Sequence, residues 1–176
     1  SELTITAPFV GRVVDLNAEV GDEVQKGTKL LTLVDDSKMT LTEYFSYAYE
    51  GQIYEGMSAG VSISSLMNTF DGTVTKIEKV DRLTTVGTRC FAVTITVTNP
   101  GALTEGMTGA AWVTYDTGEK IYPAVEGGLE YYNSKTLTAG AAGDLLAVNV
   151  VDYQKVSAGQ TLISIDGSDY RDQISS

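Results

Sequence analysis

Residues 7–35 read "APFVGRVVDLNAEVGDEVQKGTKLLTLVD", and a related stretch returns late in the chain. Residues 6–35 align with 138–167 at a constant offset of 132 without a gap. Identities fall at Thr6/Thr138, Ala7/Ala139, Gly11/Gly143, Asn17/Asn149, Val24/Val156, Gly27/Gly159 and Leu30/Leu162. Apolar character also matches at Val13/Leu145, Val14/Leu146, Leu16/Val148, Leu31/Ile163 and Leu33/Ile165, so the agreement follows a buried pattern and not composition alone. One pair of copies does not suit a solenoid, which needs three or more stacked units to bury a continuous core. Two halves of one small β-sandwich fit better. Within each copy the reading is strand, tight turn, strand. Gly11 and Gly143 open a Gly-x-apolar-x-x-apolar pattern expected at a strand start, and it recurs at Gly72 and more weakly at Gly127. "EVGDEVQKG" supplies turns at Gly21-Asp22 and Lys26-Gly27. The second copy has "VVDYQKV", which lacks the first of these glycines and predicts a rougher turn.

The chain has 176 residues, 43% hydrophobic and 20% charged, which supports a packed core and excludes the low-hydropathy, high-charge class of disordered chains. A formal net charge of −11 repels a phosphate backbone, so nucleic acid is not an expected partner. Cys90 is the only cysteine and there is no histidine. An intramolecular disulfide, a cysteine zinc site and a Ser-His-Asp triad are thereby excluded. No window has the run of about 18 apolar residues that a spanning helix needs. The chain opens on Ser1 and closes with "DYRDQISS", which reads as the start of a helix, so a trimmed piece of a longer protein is expected.

Between the copies lies a second β unit. "CFAVTITVT" sets Phe91, Val93, Ile95 and Val97 on one face and Cys90, Ala92, Thr94, Thr96 and Thr98 on the other, the period of a half-buried strand. "TGAAWVTYD" reads as another strand, and "NPGALTEGM" as a hairpin-length connection joining the two. Short strands at spacings near ten residues with glycine punctuation predict a closed barrel or sandwich.

"ITAPFVGRVVDLNAEVGDEVQKGTKLLTLVD" resembles the second half of the lipoyl-like, or barrel-sandwich hybrid, domain of membrane fusion proteins, the periplasmic adaptor subunits of bacterial efflux and export systems. "DSKMTLTEYFSYAYEGQIYEGMSAGVSI", "FDGTVTKIEKV" and "FAVTITVTNPGALTEGMTGAAWV" are similar to the strands of the adaptor β-barrel, which extends the resemblance over roughly residues 4–115. Residues 137–167 resemble the first lipoyl half, which in the family precedes a helical hairpin, and "GSDYRDQISS" resembles the start of that hairpin. Here this half follows the barrel. Either a second sandwich lies downstream in the parent, or the two halves present close one sandwich with each other. The fold expected is therefore all-β: lipoyl-like halves at 1–38 and 134–168, a small antiparallel β-barrel at 39–116, a connecting strand segment at 117–133, and the start of a truncated helical segment at 169–176. The resemblance implies a non-enzymatic adaptor without a cofactor. Such an adaptor is extracytoplasmic in a bacterial cell envelope, membrane-tethered through a segment absent here, partnered with the permease of an ABC or RND-type transporter, and a homo-oligomer at full length.

Four groups of residues offer other chemistry. Lys38 suggests a lipoyl or biotinyl carrier, whose lysine sits at a hairpin tip. Here it is one residue late for that register, with Ser37 and Met39 at its flanks, so a solvated loop lysine is expected. The carboxylates Asp35/Asp36 and Glu50/Glu55 could serve a calcium site or a glycosidase pair, but acidic residues in turns usually solvate the surface. Cys90, alternating with Phe91, reads as a small packed residue. Tyr44, Tyr47, Tyr49, Tyr131 and Tyr132 suggest a cell-wall or carbohydrate-binding module, although half-buried strands also favour aromatics. No catalytic, cofactor-binding or metal-ligating residue is assigned.

Overall fold

The computed structural model describes residues 2–167; the expected helical segment at 169–176 lies outside them. The architecture is all-β. In chain order the strands are β1 (Glu2–Thr6), β2 (Gly11–Val14), β3 (Glu23–Val24), β4 (Lys29–Ser46) and β5 (Ser58–Ile63). Next come β6 (Asn68–Leu83), β7 (Arg89–Thr98), β8 (Ala110–Thr114) and β9 (Lys120–Ile121). Then follow β10 (Leu129–Thr138), β11 (Gly143–Val148), β12 (Lys155–Val156) and β13 (Thr161–Asp166). Two units result: 2–35 with 133–167, and 36–132.

In the first unit the two sequence copies close one sandwich with each other. One sheet runs β1-β13-β11-β3, and the other is built from β12, β2, β4 and β10. Each sheet takes strands from both copies, and shifting residue numbers by 132 converts one pairing scheme into the other. Thus Gly143 and Asp144 face Val24 and Glu23, while Val156 and Lys155 face Gly11 and Arg12. The turns obey the same rule. Gly21 N–H donates to Leu145 O, and Tyr153 N–H to Val13 O; Gly27 N–H donates to Ala139 O, and Gly159 N–H to Ala7 O. Leu30, Leu33, Leu145, Leu162, Ile163 and Ile165 are fully buried in the shared core, which explains why apolar matches dominate the alignment.

The missing glycine has a defined outcome. Gly21 sits at φ 93°, the left-handed region that the third residue of a type II turn requires, and Tyr153 occupies the equivalent position at φ 69°. The turn survives because Gln154 N–H still reaches Val151 O, and the Gln154 side chain accepts from Val151 N–H as Asp22 accepts from Glu19 N–H.

The second unit is an antiparallel ring ordered β4-β7-β6-β5-β8-β9. Residues 124–129 bridge its open side, since Tyr44 pairs with Val125, and Thr108 with Gly128. The core holds Met39, Leu41, Phe45, Phe91, Val93, Ile95 and Leu129. Three expectations are corrected here. Residues 36–38 belong with this unit, because Lys38 through Ser46 pair residue by residue with Thr98 through Cys90. Of the expected connecting strand segment at 117–133, residues 117–132 belong to this unit, contributing β9 and the buried Ile121 and Leu129, and β10 carries the chain on into the first unit. The "NPGALTEGM" stretch does not make a hairpin: β7 pairs with β4 and β6, while β8 pairs with β5 and β9. Asn99 redirects the chain instead. Its Oδ1 accepts from Gly101 N–H (2.8 Å) and Leu103 N–H (3.0 Å), and its Nδ2 donates to Asp36 O and Leu103 O (both 2.9 Å). The glycine pattern also fails twice, for Gly72 lies inside β6 and Gly127 two residues ahead of β10.

Candidate functional site

The chemically distinctive group in the second unit is Glu43. It lies on β4 between Thr42 and Tyr44, at the parity that sends Met39, Leu41 and Phe45 inward, and no part of it is exposed. Its Oε2 accepts from Gly127 N–H at 3.0 Å, whereas Oε1 has no partner. Gly127 can approach because it lacks a side chain: a Cβ there would lie 2.3 Å from Thr42 O. Burial pushes the Glu43 carboxyl up from an ordinary value of 4.5 to about 8. The Gly127 hydrogen bond pulls the other way, and the Glu126 charge adds to the rise. At neutral pH the group is therefore a neutral acid in a hydrophobic ring.

The residues singled out in the sequence are scattered over the fold. Lys38 is not at a hairpin tip. It sits within the 18-residue strand β4, paired with Thr98, with its Nζ 5.5 Å from the centre of the Tyr132 ring. Asp36 offers its backbone carbonyl to Asn99, and Glu50 lies 4.0 Å from Lys79. Among the described residues no three His, Cys, Asp or Glu side chains come together as a metal site. Cys90 is buried, its thiol pushed up by burial with Arg82 opposing, and it points at Thr88 O at 3.7 Å.

The tyrosines proposed as sugar platforms already engage the protein itself. Tyr44 lies under Arg82, whose Cζ is 4.1 Å from the ring centre. Tyr47 is tilted against Phe91 at 5.4 Å, lies 4.9 Å from Arg89 and donates its hydroxyl to Val80 O. Tyr49 packs against the core. These contacts tie the 3₁₀ turn Tyr47–Tyr49 to β6 and β7. Arg89 is further fixed by Asp81 at 2.6 Å, which raises the guanidinium pKa.

Glu43 escaped the sequence reading, although the alternation Met39-Leu41-Glu43-Phe45 carries the signal: a carboxylate at an inward position of a strand. No protein-family model matches the chain, and no curated protein is significantly similar to it in sequence.

Proposed function

We propose that the chain is the β scaffold of a non-enzymatic adaptor of a bacterial export system, acting outside the cytoplasm against a membrane transporter and self-associating at full length. The observation that carries this reading is the reciprocal closure of the first unit. Glu2 of β1 pairs with Asp166 of β13, so segments joined at those two points would leave one sheet edge side by side. That is the geometry needed to hold both ends of a helical hairpin. A rigid sandwich interrupted by a barrel, with its titratable groups dispersed, suits contact geometry better than turnover. Lys38 within a paired strand favours the adaptor over a swinging-arm carrier, whose lysine needs a free tip.

The test is co-purification of the full-length protein with candidate export permeases of its host, followed by transport measured with and without the adaptor. A complex that restores transport supports the proposal. Failure of the pair to associate, or a stoichiometric lipoyl or biotinyl adduct on Lys38 by intact mass, overturns it.

A further inference from the structure

Beside the ring of the second unit, the turn after Tyr49 and the tight β8–β9 turn flank an open surface cleft of about 610 Å³. Its walls carry Tyr49, Tyr54 and Tyr115, together with the carboxylates Asp116 and Glu119. Tyr49 and Tyr115 are half-buried and packed on the core, and the Tyr115 hydroxyl is hydrogen-bonded to Gln52 Oε1, so two of the rings are fixed. Tyr54 is 54% exposed and faces solvent. Lys120 also borders the cleft, but its Nζ is held 4.3 Å above the Trp112 ring, and Tyr122 braces that indole at 6.4 Å. Elsewhere in the unit Lys38, Lys79, Arg82 and Arg89 each lie over an aromatic ring. Among the described residues no such intramolecular cation meets Tyr49, Tyr54 or Tyr115.

We infer that this cleft is a binding site for a small organic ammonium cation. Ring faces carry a negative quadrupole and attract a cation most strongly where water is partly displaced. Asp116 and Glu119 supply the countercharge, and a net charge of −11 raises the local cation concentration. A neutral sugar would use the same rings without needing the carboxylates. A phosphate-bearing ligand would be repelled by them. This site does not depend on the adaptor reading.

The experiment follows backbone amides by NMR while choline is added to the intact chain at low ionic strength, beside its neutral isostere 3,3-dimethylbutan-1-ol and a cello-oligosaccharide. Choline is expected to shift the amides of 51–54 and 116–120, with the isostere about tenfold weaker. Tyr54→Ala should weaken choline about three- to fivefold, and the double change Asp116→Asn with Glu119→Gln should weaken it further. All three positions are at the surface, so thermal unfolding should be unchanged. Equal binding of choline and isostere, unaltered binding by the variants, shifts spread evenly over the acidic surface, or a response to the oligosaccharide alone would each overturn the inference.

Discussion

Glu43→Gln should stabilise the second unit, and by an amount that depends on pH. The change keeps shape and an acceptor for Gly127 N–H but removes the ionisable proton. In the unfolded chain the Glu43 carboxyl ionises near 4.5, and in the folded unit near 8. Below pH 4.5 both states hold the proton and the group costs nothing through ionisation. Between 4.5 and 8 only the unfolded state releases it, so folding loses about 1.4 kcal/mol per pH unit. Above 8 the loss levels off. At pH 7 the accumulated loss is about 3 kcal/mol, a large share of the 5–15 kcal/mol typical of a domain. Chemical denaturation of wild type and Glu43→Gln at pH 4, 6, 7 and 8.5, read by hydrogen exchange at β4 and β7 amides, measures this directly. The variant's advantage should be near zero at pH 4 and grow to about 4–5 kcal/mol at pH 8.5. An advantage that is the same at every pH would show that Glu43 is hydrated or partnered, and the reasoning from its buried, half-satisfied carboxyl would fail.

Three further outcomes follow from single contacts. Asn99→Ala should cost about 2–3 kcal/mol, because two N–H groups and two carbonyls lose their partner at a half-buried corner. Asn99→Asp should recover part of this loss, since it retains only the acceptor bonds; equal melting temperatures for wild type and Asn99→Ala would contradict the capping role. Tyr153→Gly should raise stability by about 0.5–1 kcal/mol in a denaturant titration, as it relieves a left-handed φ at an exposed side chain. Lys38→Ala should leave both melting and intact-mass profile unmodified apart from the substitution, and an adduct on the wild-type lysine would contradict that expectation.

The repeat was legible because sandwich cores impose spacing: Ala7/Ala139, Val24/Val156 and Leu30/Leu162 are buried core positions, Gly27/Gly159 are turn glycines, and Asn17 and Asn149 donate to the equivalent Leu30 and Leu162 carbonyls. Val13 and Leu145 are both buried and each accepts from the turn of the opposite copy. The strand at 90–98 was legible from alternation, although Cys90 and Ala92, on its expected outer face, are buried as well. What composition could not reveal was partnership. The stretch 99–109 has the length and the Pro-Gly content of a hairpin, but strand pairing is decided by long-range register, and a single side chain, Asn99, turns the chain toward a different neighbour. Residues 117–133 read as a connecting strand segment because their core side chains, Ile121 and Leu129, lie eight residues apart and form no alternating run. The cleft is assembled from turns more than sixty residues apart, which no local pattern connects.

The reciprocal bonding of the two copies bears on how the sandwich comes into being. Each copy has a local antiparallel pairing of its own, β2 with β4 and β11 with β13, but its turns also donate across to the other copy, 112 to 152 residues away, so the sandwich is complete only when the copies meet. In the barrel, β5–β6 and β6–β7 pair between chain neighbours, so it can form without either copy. Its folding brings the entry and exit of residues 36–132 together, as the Lys38–Tyr132 contact records. Closing a flexible loop of that length costs about 4 kcal/mol beyond a constant term. Once the barrel has formed, that search is already over, and the two copies meet as if joined by a short tether. A formed barrel thus shortens the effective loop between the two copies, and slowing the barrel should slow closure of the sandwich with it.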